Sequence, residues 1–593
     1  MKISTKNHKK SAKFAPLFAA TAKKRLTTLK QYILQNTENT ENPTNTIFIS
    51  ICNTKHRARV FKATEATIAD AFDLATKKVI AFIQKNNYNA MWLKVDIVDF
   101  SQTVLTTDLV SKTVKLKYSN FFRMGISLDS DFKIAFLESE LNANRLIKYY
   151  SERDIADKNV DYNANLLNLD NINLYLQNMQ DKSAISELPS EIIFFTTQGV
   201  FCDENNAVWD LHNSGMSTGR RKIAKIANLI DNIHISECVI SASKYLYNML
   251  LPSGQFEYGF WQDFNRTING YNILRHASSL WSLINLYRMT ADSTFIDGIN
   301  NAMAFLENEI EYQNESTAFL VEKTANEIKL GGNAVAIIAM TEYMEVFGSL
   351  KYNRLVEHLA NGILYLQNVD TGGFVHVLNF PDFVLKEQYR TIYYDGEATF
   401  ALTRAYTYTG KKEFLAAATS AVEYLINNNY TKYRDHWVAY SLHEITKYLP
   451  IPRYFEFALK NVADNMQRIY NQTTSYHTYL ELLTITWQTY QRILENEIST
   501  EYITNFDVKN FAQTIYKRAI YMLNSYFFPE IAMYMKSPQK ALNSFFVRHD
   551  RFRVRIDDIQ HFIGGYYYLL KNWDNIAEYL TEDFMIGVTN DVL

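Results

Sequence analysis

The sequence predicts two unlike parts in one chain: an N-terminal α+β domain, then an all-α array of helical hairpins. Three observations predict it. Apolar residues alternate at strand spacing in IFISIC, ARVFKA and MWLKVDIVDF, around the helix-spaced ATIADAFDLATKKVIAFIQK. From about residue 235 the period changes to that of helices throughout. Within that second part a helix–turn–helix unit recurs at roughly 60-residue intervals, in SLWSLINLYRMTADSTFIDGI, VAIIAMTEYMEVFGSLKYNRLV and ATFALTRAYTYTGKKEFLAAA.

The first 46 residues are expected to be a basic arm and polar connector. Nine Lys or Arg and no acid fall in the first 30, and QNTENTENPTNT follows. The one apolar patch there, FAPLFAA, is short for a secretory core and lies beyond several lysines. A cytoplasmic protein is therefore expected, with no run of about 20 apolar residues to span a membrane. Cys52, Cys202 and Cys238 are too few and too scattered for a disulfide framework or a thiolate zinc site. They fit a reducing compartment. A net charge of −2 gives no global attraction to nucleic acid, so a nucleic-acid partner is unlikely.

Residues 47–232 are read as the α+β domain, closing with the strand-like EIIFFTTQGVFCD. Its charged residues Arg57, Arg59, Lys94, Asp96, Arg123, Asp129, Glu138 and Glu140 form no phosphate loop and no metal spacing. They are expected to face solvent, and the domain is expected to recruit a protein partner.

Residues 233–593 hold the hairpins. Helices that follow longer connections begin near Arg275, Asn333, Asp395, His436, His477 and Asp557; their partners open near 238, 293, 350, 412, 453 and 508. A helix pair cannot bury its apolar face alone, so neighbours must stack, and six pairs suggest a closed ring. Inner helices of such a ring are apolar nearly all round, as WSLINLY, AVAIIAM and HFIGGYYYLL are.

On this hairpin count and on turns such as DTGGF and YTGKKEF, residues 235–593 resemble the six-hairpin (α/α)6 toroids. That superfamily includes glycoside hydrolases, unsaturated glucuronyl hydrolases, sugar 2-epimerases and polysaccharide lyases. The resemblance implies a fold and a carbohydrate substrate, not a particular reaction. Two other toroid classes fit poorly. A lanthionine-cyclase-like site needs ring cysteines, and Cys238 stands alone there. A terpene-cyclase-like site needs more than the short IDD at 556–558.

In such a ring the starts of the inner helices meet at one mouth. Four of the 12 histidines fall at these six starts, among acids, guanidiniums and aromatic rings. Glycosidic cleavage needs one protonated and one ionised carboxyl group, and Glu257, Asp395, Glu397 and Asp557 are the candidates. His276 and His561 complete the expected catalytic set. With tyrosine they offer the other route, proton abstraction as in epimerases or lyases. Arg275 and Arg555 are expected to bind an acidic sugar, with Tyr393, Tyr394, Trp261 and Trp437 stacking on rings and His436, His477 and Asn333 lining the cleft. No metal and no cofactor are expected.

Each residue also has a structural alternative. Asp395 and Asp557 can cap their helices, Asp558 can pair with His561, and His436 with Trp437 can be core. Arg275 requires a charge partner. His443 and Glu444 belong to the ring wall. A glycan-binding scaffold without catalysis remains the third alternative for the whole chain.

Overall fold

The structure is a computed structural model, and it describes residues 14–36, 44–108, 121–148, 167–213, 215–222 and 234–591. The expected domain boundary at 232/233 lies outside the described residues. No described helix is long and apolar enough to cross a membrane.

The N-terminal part is built on a seven-stranded antiparallel sheet. Its main path runs β2 (Arg59–Thr64), β1 (Thr46–Cys52), β3 (Trp92–Leu105), β6 (Glu191–Cys202), β4 (Gly125–Ser127) and β5 (Ala135–Phe136), and β7 (Val208–Asp210) pairs with β6.

Helix α1 (Ala15–Asn36) packs along α2 (Ile68–Asn86), which covers β1 and β2. This corrects the expectation of an arm. Ala19, Ala22, Leu26, Leu29 and Ile33 recur at helical spacing and are buried, while the lysines between them stay outside. Arg25 is buried too, donating to the carbonyls of Ala90, at 2.8 Å, and of Cys202, at 3.1 Å. Two short helices, α3 (Glu138–Ala143) and α4 (Leu169–Gln180), complete the domain.

Several charges expected at the surface are buried instead. Arg57, Lys94, Asp96 and Glu140 are each at most 9% exposed, and two of these clusters fasten the domains together. Arg57 donates to the carbonyls of Ala143, at 2.9 Å, and Tyr534, at 2.7 Å. Lys94 pairs with Asp96 at 3.1 Å beneath the Tyr534 ring. Arg221 and Glu530 make a further ion pair across the boundary at 2.6 Å. A buried charge is tolerated only with such partners.

The remaining chain is an (α/α)6 toroid. Its outer and inner helices alternate: α5 (His234–Tyr247), α6 (Ile273–Thr290), α7 (Ile296–Glu307), α8 (Leu330–Phe347), α9 (Asn353–Leu366), α10 (Tyr394–Thr409), α11 (Lys412–Asn427), α12 (His436–Ile445), α13 (Pro452–Ala463), α14 (Thr478–Glu495), α15 (Val508–Met522) and α16 (Ile556–Ala577). The even-numbered helices α6 to α16 are inner. Each packs on the next, and α16 returns to α6, which closes the ring.

Sequence decides which helix lies inside. Residues Leu330 to Glu342 of α8 are buried on every side, whereas α9 buries a stripe through Val356, Leu359, Ala360 and Ile363. The tight turns use left-handed backbone, with Gly348 at φ 59° and Gly410 at φ 70°, conformations glycine adopts without a Cβ clash.

Candidate active site

Short strands feed the mouth. β12 (Glu327–Lys329) runs straight into α8, and β15 (Arg553–Arg555), paired with β8 (Gly259–Trp261), runs straight into α16. The first turns of α10, α12, α14 and α16 then bring acids and imidazoles to one place.

Asp395 and Glu397 share the first turn of α10, yet face different ways. Neither caps the helix, whose N-cap is Tyr393. Asp395 accepts from His376 Nε2 at 3.1 Å and from Tyr430 OH at 3.0 Å, so it ties α10 to its flanking loops. Glu397 is buried with Oε2 unpartnered. Burial, then the nearby carboxylates of Asp435, Asp557 and Asp395, push its carboxyl well above the usual range, against the pull of His561. The shift favours its protonated form. The carboxyl fits only because α8 offers Gly331 here: a Cβ at that position would lie 2.0 Å from Glu397 Oε2.

Asp557 is the opposite case. Burial disfavours its charge, but Arg275 at 3.2 Å, His561 at 3.6 Å and Arg555 at 3.5 Å outweigh burial and hold the carboxylate well below its usual range. The partner that Arg275 required is therefore Asp557. Asp558 does not meet His561; it accepts from Arg555 at 2.8 Å and from Arg553 at 3.0 Å.

His561 donates from Nδ1 to Glu481 Oε2 at 2.6 Å and faces Asp557 with Nε2. Burial works against its charge, yet Glu481 and Asp557 prevail and raise it to about 10. Burial also raises the Glu481 carboxyl, partly offset by His561. With ionised Asp557 on the far nitrogen, the shared proton belongs to His561. The ring is an imidazolium.

His436 contrasts with it. Its ring lies edge-on to His561 with centroids 5.0 Å apart, and neither nitrogen has a hydrogen-bond partner. Burial, followed by the positive charge of His561 and the proximity of His477, keeps it neutral, well below the usual range. His477 lies tilted on His561 at 5.0 Å, and burial lowers it to about 3. Tyr393 meets His436 edge-on at 5.6 Å, and its hydroxyl contacts Tyr476 OH at 3.2 Å. Tyr394 packs beside Glu397 and the His376 ring.

Other expected site residues lie elsewhere. His276 faces outward, with Nδ1 2.8 Å from Tyr271 OH and Nε2 3.0 Å from the Ala302 carbonyl of α7. Asn333 accepts from the Leu320 amide at 2.8 Å and donates to the Lys329 carbonyl at 2.9 Å, a purely architectural pairing. Glu257 is exposed, with Lys540 and Tyr245 as its electrostatic neighbours. Trp261 lies under the Arg551 guanidinium at 4.4 Å. Trp437 is buried against Trp281 at 6.0 Å, in the ring wall.

Glu481 and Tyr440 were not foreseen, and Asp435 stood in the helix start YRDHW without being assigned to the site. Tyr440 donates to Glu481 Oε1 at 3.1 Å, and Asp435 caps α12 by accepting from the Trp437 amide at 2.8 Å. A signal for Glu481 existed: it is the one acid in TYLELLTITW, one turn past His477. His436, Glu481 and His561 also place ligand atoms within 4.8 Å of one another, the spacing of a candidate metal site.

No protein-family model matches the chain, and no curated protein does. Solved structures align with its helical part. A D-mannose isomerase aligns at 12% identity and TM-score 0.42, over 58% of this chain and 98% of its own. An unsaturated glucuronyl hydrolase specific for heparin aligns at 11% and 0.36, over 58% and 98%. The cellobiose 2-epimerase of Spirochaeta thermophila aligns at 10% and 0.35, over 60% and 100%.

Proposed function

We propose that the chain is a carbohydrate-active enzyme that shifts a proton on a reducing sugar, as an epimerase or isomerase does. The observation that carries this is the imidazole pair: neutral His436, unbonded at both nitrogens, beside charged His561. In the open-chain form of the sugar, His436 removes the proton from the carbon next to the carbonyl. Negative charge then grows on the carbonyl oxygen, where the His561 imidazolium and the Arg275 guanidinium meet it. Glu397, its carboxyl pushed toward the protonated form, donates a hydrogen bond to that oxygen. A proton returned to the other face of the same carbon completes an epimerisation; the proton on His436 delivered to the neighbouring carbon, with the hydroxyl proton passing between the two oxygens, completes an isomerisation.

The test is solvent exchange. The protein incubated in D2O with a panel of reducing mono- and disaccharides is expected to place deuterium beside the carbonyl, read by NMR. Absence of exchange together with release of new reducing ends from glycosides would overturn the proposal.

That second outcome is the alternative reading, a glycoside hydrolase with Glu397 as acid and Asp557 as its ionised partner. The raised Glu397 carboxyl favours it. Against it, a carboxylate held down by two guanidiniums is a poor base.

A further inference from the structure

A cavity of about 690 Å³ opens on the N-terminal domain along β2, the edge strand of the sheet, between α2, the turn at 130–133 and the end of α4. Its size falls in the range of small-molecule sites. Phe61 and Phe82 form an apolar wall, rings 5.4 Å apart. The rest carries five cations, Arg59, Lys62, Lys78, Lys133 and Lys182, against two carboxylates, Asp131 and Asp181.

Arg59, Lys62, Lys78 and Lys182 all line it, and among the described residues none of the four has a carboxylate within ion-pair distance. Carbonyls hold them in place instead. Lys62 Nζ donates to the Ala135 carbonyl at 2.9 Å and to Gln180 Oε1 at 3.3 Å. Lys78 Nζ donates to the Lys62 carbonyl at 2.7 Å, Arg59 to the Asn178 carbonyl at 2.9 Å, and Lys182 to the Lys133 carbonyl. A fifth cation, Lys133, is neutralised by Asp131 at 2.6 Å.

Carbonyl dipoles orient these cations without cancelling their charge, so their mutual repulsion stays in the fold. Elsewhere some buried cations meet acids, as Arg404 does Glu342, Arg221 Glu530 and Lys94 Asp96, while Arg25 and Arg57 are each held by carbonyls; this cavity differs in bringing four carbonyl-held cations to one open space. We infer that this cavity is a binding site for a phosphate-bearing small molecule, with Arg59, Lys62, Lys78 and Lys182 gripping the phosphate and the Phe61–Phe82 wall taking the apolar part. Lysine and arginine donors converging on one space are the chemistry that recognises phosphate oxygens.

The titration of Lys62 agrees with this. Burial, then Lys182 and Lys78, lower it, while Glu140 on α3 and Asp129 of the 129–134 turn oppose them. A bound anion would reverse the shift, so binding above neutral pH takes up protons.

The test is titration calorimetry of the full chain at low salt with three probes: inorganic phosphate, inorganic pyrophosphate and uridine diphosphate. Pyrophosphate or uridine diphosphate is expected to bind, with proton uptake at pH 8 read from buffers of different ionisation enthalpy. Tighter binding of uridine diphosphate than of pyrophosphate assigns the apolar wall to the organic part; equal binding assigns the site to phosphate alone, against the inferred ligand class. Lys62→Met and Lys182→Gln are each expected to weaken binding at least tenfold, and Lys24→Met, on the outer face of α1, to leave it unchanged. Circular dichroism checks that each variant folds, and Lys182→Gln, at a partly exposed position, stands alone if Lys62→Met does not. Absence of binding, equal weakening by Lys24→Met, or binding only of acidic peptide or oligonucleotide would overturn the inference.

Discussion

The two ends of the ring treat buried charge in opposite ways. Where the inner helices end, Arg404 meets Glu342 at 3.5 Å, Glu345 at 2.9 Å and Glu444 at 3.9 Å, while Arg288 meets Glu342 and Glu345 at 2.9 Å. Lys447 closes on Glu444 at 2.6 Å. Each charge has an opposite neighbour. Where the same helices begin, Arg275 with Asp557 and His561 with Glu481 are paired as well. Glu397, however, stands beside three other carboxyl groups. His436 makes no hydrogen bond, although Asp435 lies 3.5 Å and Glu481 3.8 Å from its nitrogens. One end is matched and serves stability; the other keeps groups in protonation states poised for proton transfer.

Mutations that act on one end only would break that contrast. The largest effect is expected from His436→Ala and from His561→Ala: loss of deuterium exchange by roughly 10²- to 10⁴-fold. Circular dichroism should show the ring intact. Glu397→Gln separates the two functional readings, because glutamine keeps the shape and the neutrality but cannot give up a proton. Proton transfer between carbons is expected to slow by only about tenfold, whereas glycoside cleavage would lose a general-acid contribution of about 10²-fold or more.

At the matched end, Arg404→Met takes one cation from each of Glu342, Glu345 and Glu444 and leaves them to Arg288 and Lys447 alone. A stability loss of about 3–5 kcal/mol is expected in urea unfolding, with turnover per folded molecule unchanged. Asn333→Ala removes a partner of the buried Leu320 amide and is expected to cost about 1–3 kcal/mol. It too should spare turnover, since Asn333 does not face the mouth.

The pH dependence sharpens the same comparison. His561, raised from 6.5 to about 10, contributes stability that is fully present below pH 6.5 and is lost as pH rises toward 10. His276 and His477, lowered to about 4 and about 3, contribute stability present above pH 6.5 and lost as pH falls through those values. Melting temperatures across pH 3 to 10 are expected to fall at both ends. In His561→Ala the alkaline fall should shrink.

The ring was legible in the sequence because helix and turn signals repeat, and inner helices start within three residues of where periodicity puts them. The site was legible only in part, because a helix turns about 100° per residue. Asp395 and Glu397, two positions apart, therefore point to different surroundings, and Arg275 faces the mouth while its neighbour His276 faces an outer helix. No spacing rule tells which of two adjacent residues looks along the axis. The helix of residues 15–36 was hidden by its lysines, although its apolar stripe was present. The cationic cavity draws on four separate segments, and no single stretch announces it.

The hydrogen atom that Gly331 carries in place of a methyl group has a consequence for how this pocket can change. A methyl group there would meet both the Glu397 carboxyl and the Tyr394 ring, so neither could keep its present place. A substitution outside the reacting groups would thereby reach a carboxyl whose protonation the pocket controls.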